Sequence, residues 1–461
     1  MSSQPKQALG ADQEKLGTFP LGKLLMQYAL PSIIAMTATS LYNMVDSIFI
    51  GQAEGPLGLA GLTVTFPLMN LSSAFGAMVG IGAGTITAMK IGQRDVEGAE
   101  NTLGNVVLLN VLIGAMFAIV SLIFLDPILR FFGASDASLP YARAYMEVLL
   151  LGNVLTHLYL GLNDVVRSSG YPKKAMLATL TAVFVNIVFD YILIMKMGMG
   201  IRGAAIGTIL SQFVAFCVVL HHLTRPTSFI RFKKGILKWR PKLVRAILGL
   251  GSAPFFTNCC ACLVVLLINN GLGHYGGDNH ISAYGIANRV AFIFVMITQG
   301  ICQGMQPISG FNYGAGLVDR CVGVYRRAAI GGTIVMTCGF ILGEFFPRFV
   351  TGWFTDDATL LEITEKALHT MFALFPLVGM QIVTVGFLMS LGKAVKAIIL
   401  SLSRQLLCLV PLLIFLPKFI GVAGIWLALP IADAVAVAVA IGMAVHQLRA
   451  LRKLVTSDHQ N

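Results

Sequence analysis

Charge is what this sequence has least of. Asp, Glu, Lys and Arg together make up only 12% of its 461 residues, about half the share of an ordinary soluble chain. That leaves too little polar surface to cover the several soluble domains such a length would otherwise suggest, and it excludes a soluble, secreted or DNA-binding protein. Acidic residues are scarcer still, 21 against 33 basic ones, for a net charge of +12. Tryptophan is nearly absent, with three residues, and there are eight cysteines. Six of these, Cys217, Cys259, Cys260, Cys262, Cys302 and Cys338, fall in apolar runs, as Cys408 does too, while Cys321 falls in a loop. No disulfide framework is implied. The Cys259, Cys260, Cys262 group spreads its thiols around one helix with no histidine nearby, so these read as small core hydrophobes, not as a metal site. There is no G-x-x-x-x-G-K-[ST] loop to hydrolyse ATP by that route and no H-E-x-x-H. Gly80, Gly82 and Gly84 lie inside an apolar run with no strand before them, so they read as helix-packing glycines and not as a nucleotide loop. No nucleophile or metal constellation suggests an enzyme, and no bound cofactor is expected.

What is abundant is apolar: 56% of residues are hydrophobic and mean hydropathy is +0.79. Nearly charge-free runs occur at 21–50, 57–89, 104–125, 141–163, 175–195, 201–223, 244–270, 280–305, 325–346, 367–391, 395–416 and 421–447. Each can cross about 30 Å of hydrocarbon as a helix, so the chain is expected to be an all-α polytopic membrane protein with twelve transmembrane helices, numbered here spans 1 to 12. The polar stretch before span 1 lacks a short apolar core with a small-residue cleavage site, so no removed signal peptide is expected.

Basic residues set the orientation. With the N-terminus inside, 24 of the 33 Lys and Arg lie in inner segments and 7 in outer ones, while Arg289 and Arg404 lie within spans. The bias keeps its sign along the chain, so both termini are expected in the cytoplasm of a cell's inner membrane. The net positive charge then reflects basic cytoplasmic loops, and no nucleic-acid partner is expected. The division that follows is a cytoplasmic tail (1–20), an N-lobe (21–223), a basic linker (224–243), a C-lobe (244–447) and a second tail (448–461).

The two lobes look like a repeat. Pro31 matches Pro254 and Ala60 matches Ala283 at an offset of 223; Gly92, Gly170, Lys174 and Ala175 match Gly314, Gly392, Lys396 and Ala397 at 222; Gly200 and Gly203 match Gly421 and Gly424 at 221. Six spans per half makes the repeat parallel, giving two pseudo-symmetric six-helix lobes about an axis along the membrane normal. Transporters so built bind substrate between the halves and alternate access by rocking.

Acids within hydrocarbon are costly and mark function by default. The clear cases are Asp46, Asp190 and Asp433, whereas Glu147 and Glu344 lie nearer span ends. Asp46 lies about 7 Å below the outer end of span 1, Asp190 about 9 Å below that of span 5, and Thr208 about 10 Å into span 6. Asn186 is one turn below Asp190 on the same face. Two carboxylates, an amide oxygen and a hydroxyl in one layer form a hard-oxygen set suited to Na⁺, or a carboxylate pair that shares and releases a proton. Asp433 lies near the midplane, at the position that matches Gln212 in the repeat. It reads either as a counter-ion to a cationic substrate or as a partner for Arg289 or Arg404. His157 in span 4 reads as a hydrogen-bonded packing residue. Methionine (20) and phenylalanine (29) are plentiful, and some suit a pocket for varied ligands.

At these residues the chain resembles the multidrug and toxic compound extrusion (MATE) family. The resemblance rests on Leu-Tyr-Asn-Met-Val-Asp-Ser-Ile-Phe-Ile-Gly (41–51), Asn186-Ile-Val-Phe-Asp190, Asn163-Asp-Val-Val-Arg-Ser-Ser-Gly170 with Lys173 and Lys174, and Gly304-Met-Gln-Pro-Ile-Ser-Gly-Phe-Asn-Tyr-Gly314. It spans about 20 to 450. It implies a twelve-helix antiporter that expels lipophilic, often cationic compounds in exchange for H⁺ or Na⁺, acting as a monomer in the lipid bilayer. The family's N-lobe cation site maps onto Asp46, Asn186, Asp190 and Thr208, which would hold Na⁺ if coupling is to sodium. The resemblance also implies that Tyr42, Tyr145, Asn163 and Gln212 line the cavity and that span 1 bends at Pro31 when the site changes protonation. Some members carry further cation-binding carboxylates in spans 7 and 10. Here span 7 offers only Asn269 and Asn270, and span 10 has no acid after Glu365. Related folds also include flippases for lipid-linked precursors, which would be expected to place several cations in a central cavity. Only Arg289 and Arg404 lie within spans here, which favours cationic cargo. A major-facilitator transporter would carry an Arg/Lys-rich signature between spans 2 and 3, where this chain reads Lys90-Ile-Gly-Gln-Arg-Asp-Val.

Overall fold

The computed structural model describes residues 9–233, 235–354 and 357–458, with side chains up to 452. Lys6, Lys234, Lys453 and the last three residues of the expected C-terminal tail lie outside this description. Every regular element among the described residues is a helix.

Among the described residues nine helices are long and apolar enough to span a membrane. One of them, Leu21–Gly92, runs 72 residues, about 108 Å if straight. It breaks at Gly55, whose φ of 66° and ψ of −158° interrupt the helical path and are open to glycine alone. It is therefore two spans, 21–54 and 56–92. Two more spans are bent pairs: Leu139–Leu151 with Asn153–Ser168 at 56°, and Ala358–Phe372 with Phe375–Ser390 at 50°. The total is twelve, as expected, and the two bends fall at matching places in the repeat.

Several helices outrun the apolar runs that announced them. Span 3 is Val96–Ile123, span 8 is Asp278–Gly314 and the last is Val422–Asp458. Hydropathy registers only the part in hydrocarbon, while the backbone stays helical in its polar flanks. The segment 448–458, expected as a tail, continues span 12. The N-terminal segment also holds a helix, Ala11–Thr18, in which Leu16 is fully buried and Gln13 Nε2 donates to the Ser169 carbonyl at 2.7 Å.

The chain forms two compact units, and their limits differ from the lobes 21–223 and 244–447. Of the described residues, unit 1 comprises those up to Thr18 with Ile34–Phe255; unit 2 comprises Phe19–Ile33 and those from Phe256 on. Each unit thus takes its neighbour's first half-helix, and the hand-over comes two residues after Pro31 in span 1 and one after Pro254 in span 7. Small residues allow this. In unit 1, Gly251 lies against the Met78 backbone and Gly82 against Ile247; in unit 2, Gly300 lies against Ile33 and Gly304 against Tyr28 and Ala29. The linker is likewise part of unit 1. Buried Asn105 donates to the Lys238 carbonyl at 3.2 Å and accepts from the Arg240 amide at 3.1 Å, and Lys233 pairs with Glu100 at 2.7 Å.

Each unit has its own core. In unit 1 it includes Ile50, Leu62, Leu129, Tyr145, Leu150 and Ile201. In unit 2 it includes Ile268, Met336, Leu368, Phe372, Phe375 and Trp426.

Candidate functional site

In the outer half of span 1 the sequence sorts its residues by face. Leu41, Met44 and Ile48 point outward, 58%, 63% and 46% exposed, while Asp46 (4%) and Ile50 (0%) turn into unit 1. Tyr42, one turn before Asp46, shares that inward face. Span 5 repeats the division: Phe184 is 69% exposed, and Asn186 and Asp190 are buried. Immediately after Asp190 the helix widens into a π turn, Tyr191–Lys196, a distortion common at functional positions. Span 6 opens on small residues, Gly203, Ala204, Ala205 and Gly207, which let span 5 approach closely.

These elements bring the four expected residues into one buried cluster. Asn186 Nδ2 lies 3.3 Å from Asp190 Oδ1 and 3.5 Å from Thr208 Oγ1. The Tyr145 hydroxyl donates to Asp46 Oδ2 at 3.4 Å. Tyr42, Tyr145, Asp46 and Asp190 lie close enough to interact electrostatically. Three buried oxygens have no hydrogen-bond partner among the described residues: Asp46 Oδ1, Asn186 Oδ1 and Asp190 Oδ2. Buried polar atoms are nearly always paired, and an unpaired one costs about 1–3 kcal/mol. Unmatched acceptors of this kind suit a proton or a hard monovalent cation, with Thr208 Oγ1 as a further oxygen. Among the described residues no three His, Cys, Asp or Glu side chains gather as a transition-metal site would require.

The other expected residues lie elsewhere. Asn163 Nδ2 donates to Thr179 Oγ1 at 3.2 Å, beside the Tyr159 hydroxyl, which donates to the same oxygen at 3.1 Å. Gln212, one turn inward from Thr208, accepts from the Thr156 hydroxyl. His157 meets Ser72 Oγ through Nε2 at 3.2 Å, and Ser72 donates to Asn153 at 2.6 Å. Asp433 belongs to unit 2, where the Arg404 guanidinium holds it at 2.5 Å. Of its two sequence readings, the structure adopts pairing with Arg404. Pro31 lies within unbroken helix.

Two contributors escaped the sequence reading. Gly207 faces Asp190: a Cβ there would come within 2.5 Å of Asp190 Oδ1. Its signal was its place beside Thr208, lost among 48 glycines. Glu54, just before the Gly55 break, accepts from the Ile201 amide at 3.3 Å. It thereby satisfies one of the orphan amides at the start of span 6, where a carboxylate is also favoured by the helix dipole. It ties the outer end of span 1 to span 6, a role invisible without the tertiary contact.

A sequence model of the MatE family matches the chain twice, over residues 31–192 and 254–415. The offset between the two matches is 223, the same as that of Pro31 and Pro254. The multidrug export protein MepA of Staphylococcus aureus (strain NCTC 8325 / PS 47) is 25% identical over 442 residues, covering 95% of this chain and 96% of that protein. MepA of Staphylococcus haemolyticus (strain JCSC1435) is 24% identical over 416 residues, covering 90% and 91%. Among solved structures, a MATE protein in a bent conformation superposes with a TM-score of 0.91 at 24% identity, covering 97% of this chain and 99% of that one. An outward-facing multidrug resistance MATE transporter superposes with a TM-score of 0.90 at 24% identity, covering 96% and 99%. With its twelve spans, its internal repeat and this twofold match, the chain belongs to the MatE family of multidrug and toxic compound extrusion transporters.

Proposed function

We propose that the protein is a secondary antiporter that exports lipophilic, often cationic compounds in exchange for H⁺ or Na⁺ bound at Asp46, Asn186, Asp190 and Thr208. The observation that carries this reading is the trio of buried, unpartnered oxygens on Asp46, Asn186 and Asp190. Tyr145 and Tyr42 position and screen the pair, and Asn163 and Gln212 line the path a substrate takes past it. When the ion binds, the repulsion between the two carboxylates falls and span 1 rearranges at Pro31. The passage of span 1 from unit 2 to unit 1 between Ile33 and Ile34 supports that hinge. So do the similar MATE structures, which are described in a bent and in a straight conformation. The bound ion is the only cofactor in this scheme, and a single chain in the bilayer suffices for it.

Transport into proteoliposomes with separately imposed Na⁺ and pH gradients tests the coupling. One of the two gradients is expected to drive accumulation of a lipophilic cation at least ten times above a no-gradient control. Accumulation that ignores both gradients excludes antiport.

We further propose that both termini face the cytoplasm of the inner membrane, on the strength of the 24-to-7 basic asymmetry. A reporter active only outside the cytoplasm, fused after Asn461, is expected to give no signal above background. A strong signal reverses the topology.

A further inference from the structure

The charges inside the spans are divided unequally between the units. Unit 1 holds Asp46 and Asp190, both buried, and among the described residues no cation in that layer. Unit 2 holds Arg289, Arg404 and Asp433. Arg404 lies about 15 Å from the inner end of span 11 and Asp433 about 17 Å from the outer end of span 12, so the pair sits near the midplane. Arg289, about 17 Å into span 8, is at similar depth, exposed, and without an acidic partner among the described residues.

The ion pair is lopsided. Arg404 uses Nε to reach Asp433 Oδ1, leaving Nη1 and Nη2 without a partner among the described residues. Asp433 is 4% exposed and Arg404 is 32% exposed. At this depth an arginine side chain cannot reach either interface, and a bare guanidinium facing lipid tails is prohibitive. Its open side therefore calls for a polar partner. The backbone favours that exposure: residues Ser403–Leu409 form a π turn that begins one residue before Arg404.

The repeat shows that the fold does not need this pair. Asp433 corresponds to Gln212, which in unit 1 is matched by neutral Thr156. Asp433 meets span 11 whereas Gln212 meets span 4, and the residue that matches Arg404 at an offset of 222 is apolar Ala182, so unit 1 keeps the same six-helix plan with no ion pair at these positions. A buried ion pair is in any case a poor source of stability compared with neutral packing.

We infer that Arg404, held by Asp433, is a recognition point in unit 2 for the anionic group of a cargo molecule, specifically the carboxylate of a zwitterionic amphiphile. The two free Nη groups present the planar fork that carboxylates accept. A lipid headgroup is excluded as the source of that anion, because headgroups lie about 15 Å away at the membrane surface. The efflux reading gives such cargo its cationic group, and Arg404 offers its carboxylate a point within unit 2. This rests on the efflux reading above.

The test is equilibrium binding to detergent-purified protein, which needs no coupling gradient. The probes are tetraphenylphosphonium, a zwitterionic quinolone and the methyl ester of that quinolone. The wild type is expected to bind the quinolone at least tenfold tighter than the ester. In the double variant Arg404→Gln/Asp433→Asn, which leaves no unpaired charge, the quinolone is expected to weaken at least tenfold while tetraphenylphosphonium stays within twofold. Arg404→Lys keeps the counter-charge for Asp433 but loses the fork, and is expected to weaken the quinolone about threefold with tetraphenylphosphonium unchanged; it serves if the double variant does not accumulate. Equal weakening of all three probes, or an unchanged quinolone affinity, overturns the inference and leaves the efflux reading standing. Wild-type protein that binds none of the probes overturns both.

Discussion

Asp46→Asn and Asp190→Asn are each expected to bring efflux of a lipophilic cation down to that of membranes lacking the protein, a loss of about a hundredfold or more, with protein abundance unchanged. The first part follows from the coupling chemistry. Whether the driving ion is H⁺ or Na⁺, it needs an ionisable oxygen, and asparagine offers neither a proton to exchange nor a charge to hold a cation. The second part follows from the packing. Asn186 Nδ2 donates to Asp190 Oδ1, and an amide oxygen at 190 can accept the same bond. At 46 the Tyr145 hydroxyl meets an amide oxygen instead of a carboxylate oxygen. In each variant a buried charge is removed and no cavity is made, so no large stability loss is expected. Tyr145→Phe is the graded comparison: it deletes one long hydrogen bond worth about 1 kcal/mol, so a few-fold loss is expected. Immunoblotting of membranes beside whole-cell efflux reads both quantities. Wild-type efflux by Asp46→Asn or Asp190→Asn removes that residue from the coupling site.

Much of this site was legible because depth in a membrane can be read from sequence. Residues counted from a span's end at a fixed rise per residue put Asp46, Asp190 and Thr208 in one layer, and the structure brings them together with Asn186. What could not be read was azimuth. Nothing in the spacing says that Gly207 faces Asp190 or that Glu54 reaches the Ile201 amide, because those facts depend on how neighbouring helices are turned about their axes. The same limit left Asp433 between two readings until Arg404 was found beside it. At the level of fold, hydropathy marked all twelve spans but not the helical flanks outside hydrocarbon. The repeat offset pointed to two halves, yet the compact units exchange their first half-helices. Chain order cannot show an exchange, since residues 19–33 and 241–255 stand at the start of their own lobes in sequence whichever unit they pack against.

That exchange leads to the second large effect. Gly251→Val and Gly304→Val are expected to lower the melting temperature of the detergent-purified protein by about 5 °C or more and to reduce its yield, whereas Gly249→Val and Gly285→Val leave both near wild type. A Cβ at 251 lands on the Met78 carbonyl, with the Met78 Cα 2.9 Å away; at 304 it meets the backbone of Tyr28 and Ala29 at 2.5 to 2.8 Å. Backbone cannot swing aside as a side chain can, so the helices must part, at an overpacking cost of about 1–3 kcal/mol or more at each site. A loss of that size corresponds to several degrees in a unit of about 200 residues. At 249 and 285 an added Cβ meets nothing within 4 Å, so these variants share the glycine-to-valine change in chain entropy and helix propensity without the clash. The comparison therefore isolates the close approach itself. Gly249 and Gly251 lie on the same half-helix, which unit 1 receives just before Pro254. Equal melting of all four variants would show that the half-helices do not depend on these contacts. Destabilisation confined to 251 and 304 identifies them as the seams that hold each exchanged half-helix in its host unit. Spans 1 and 7 are then each fixed in the host unit along the inner half that ends near Pro31 or Pro254.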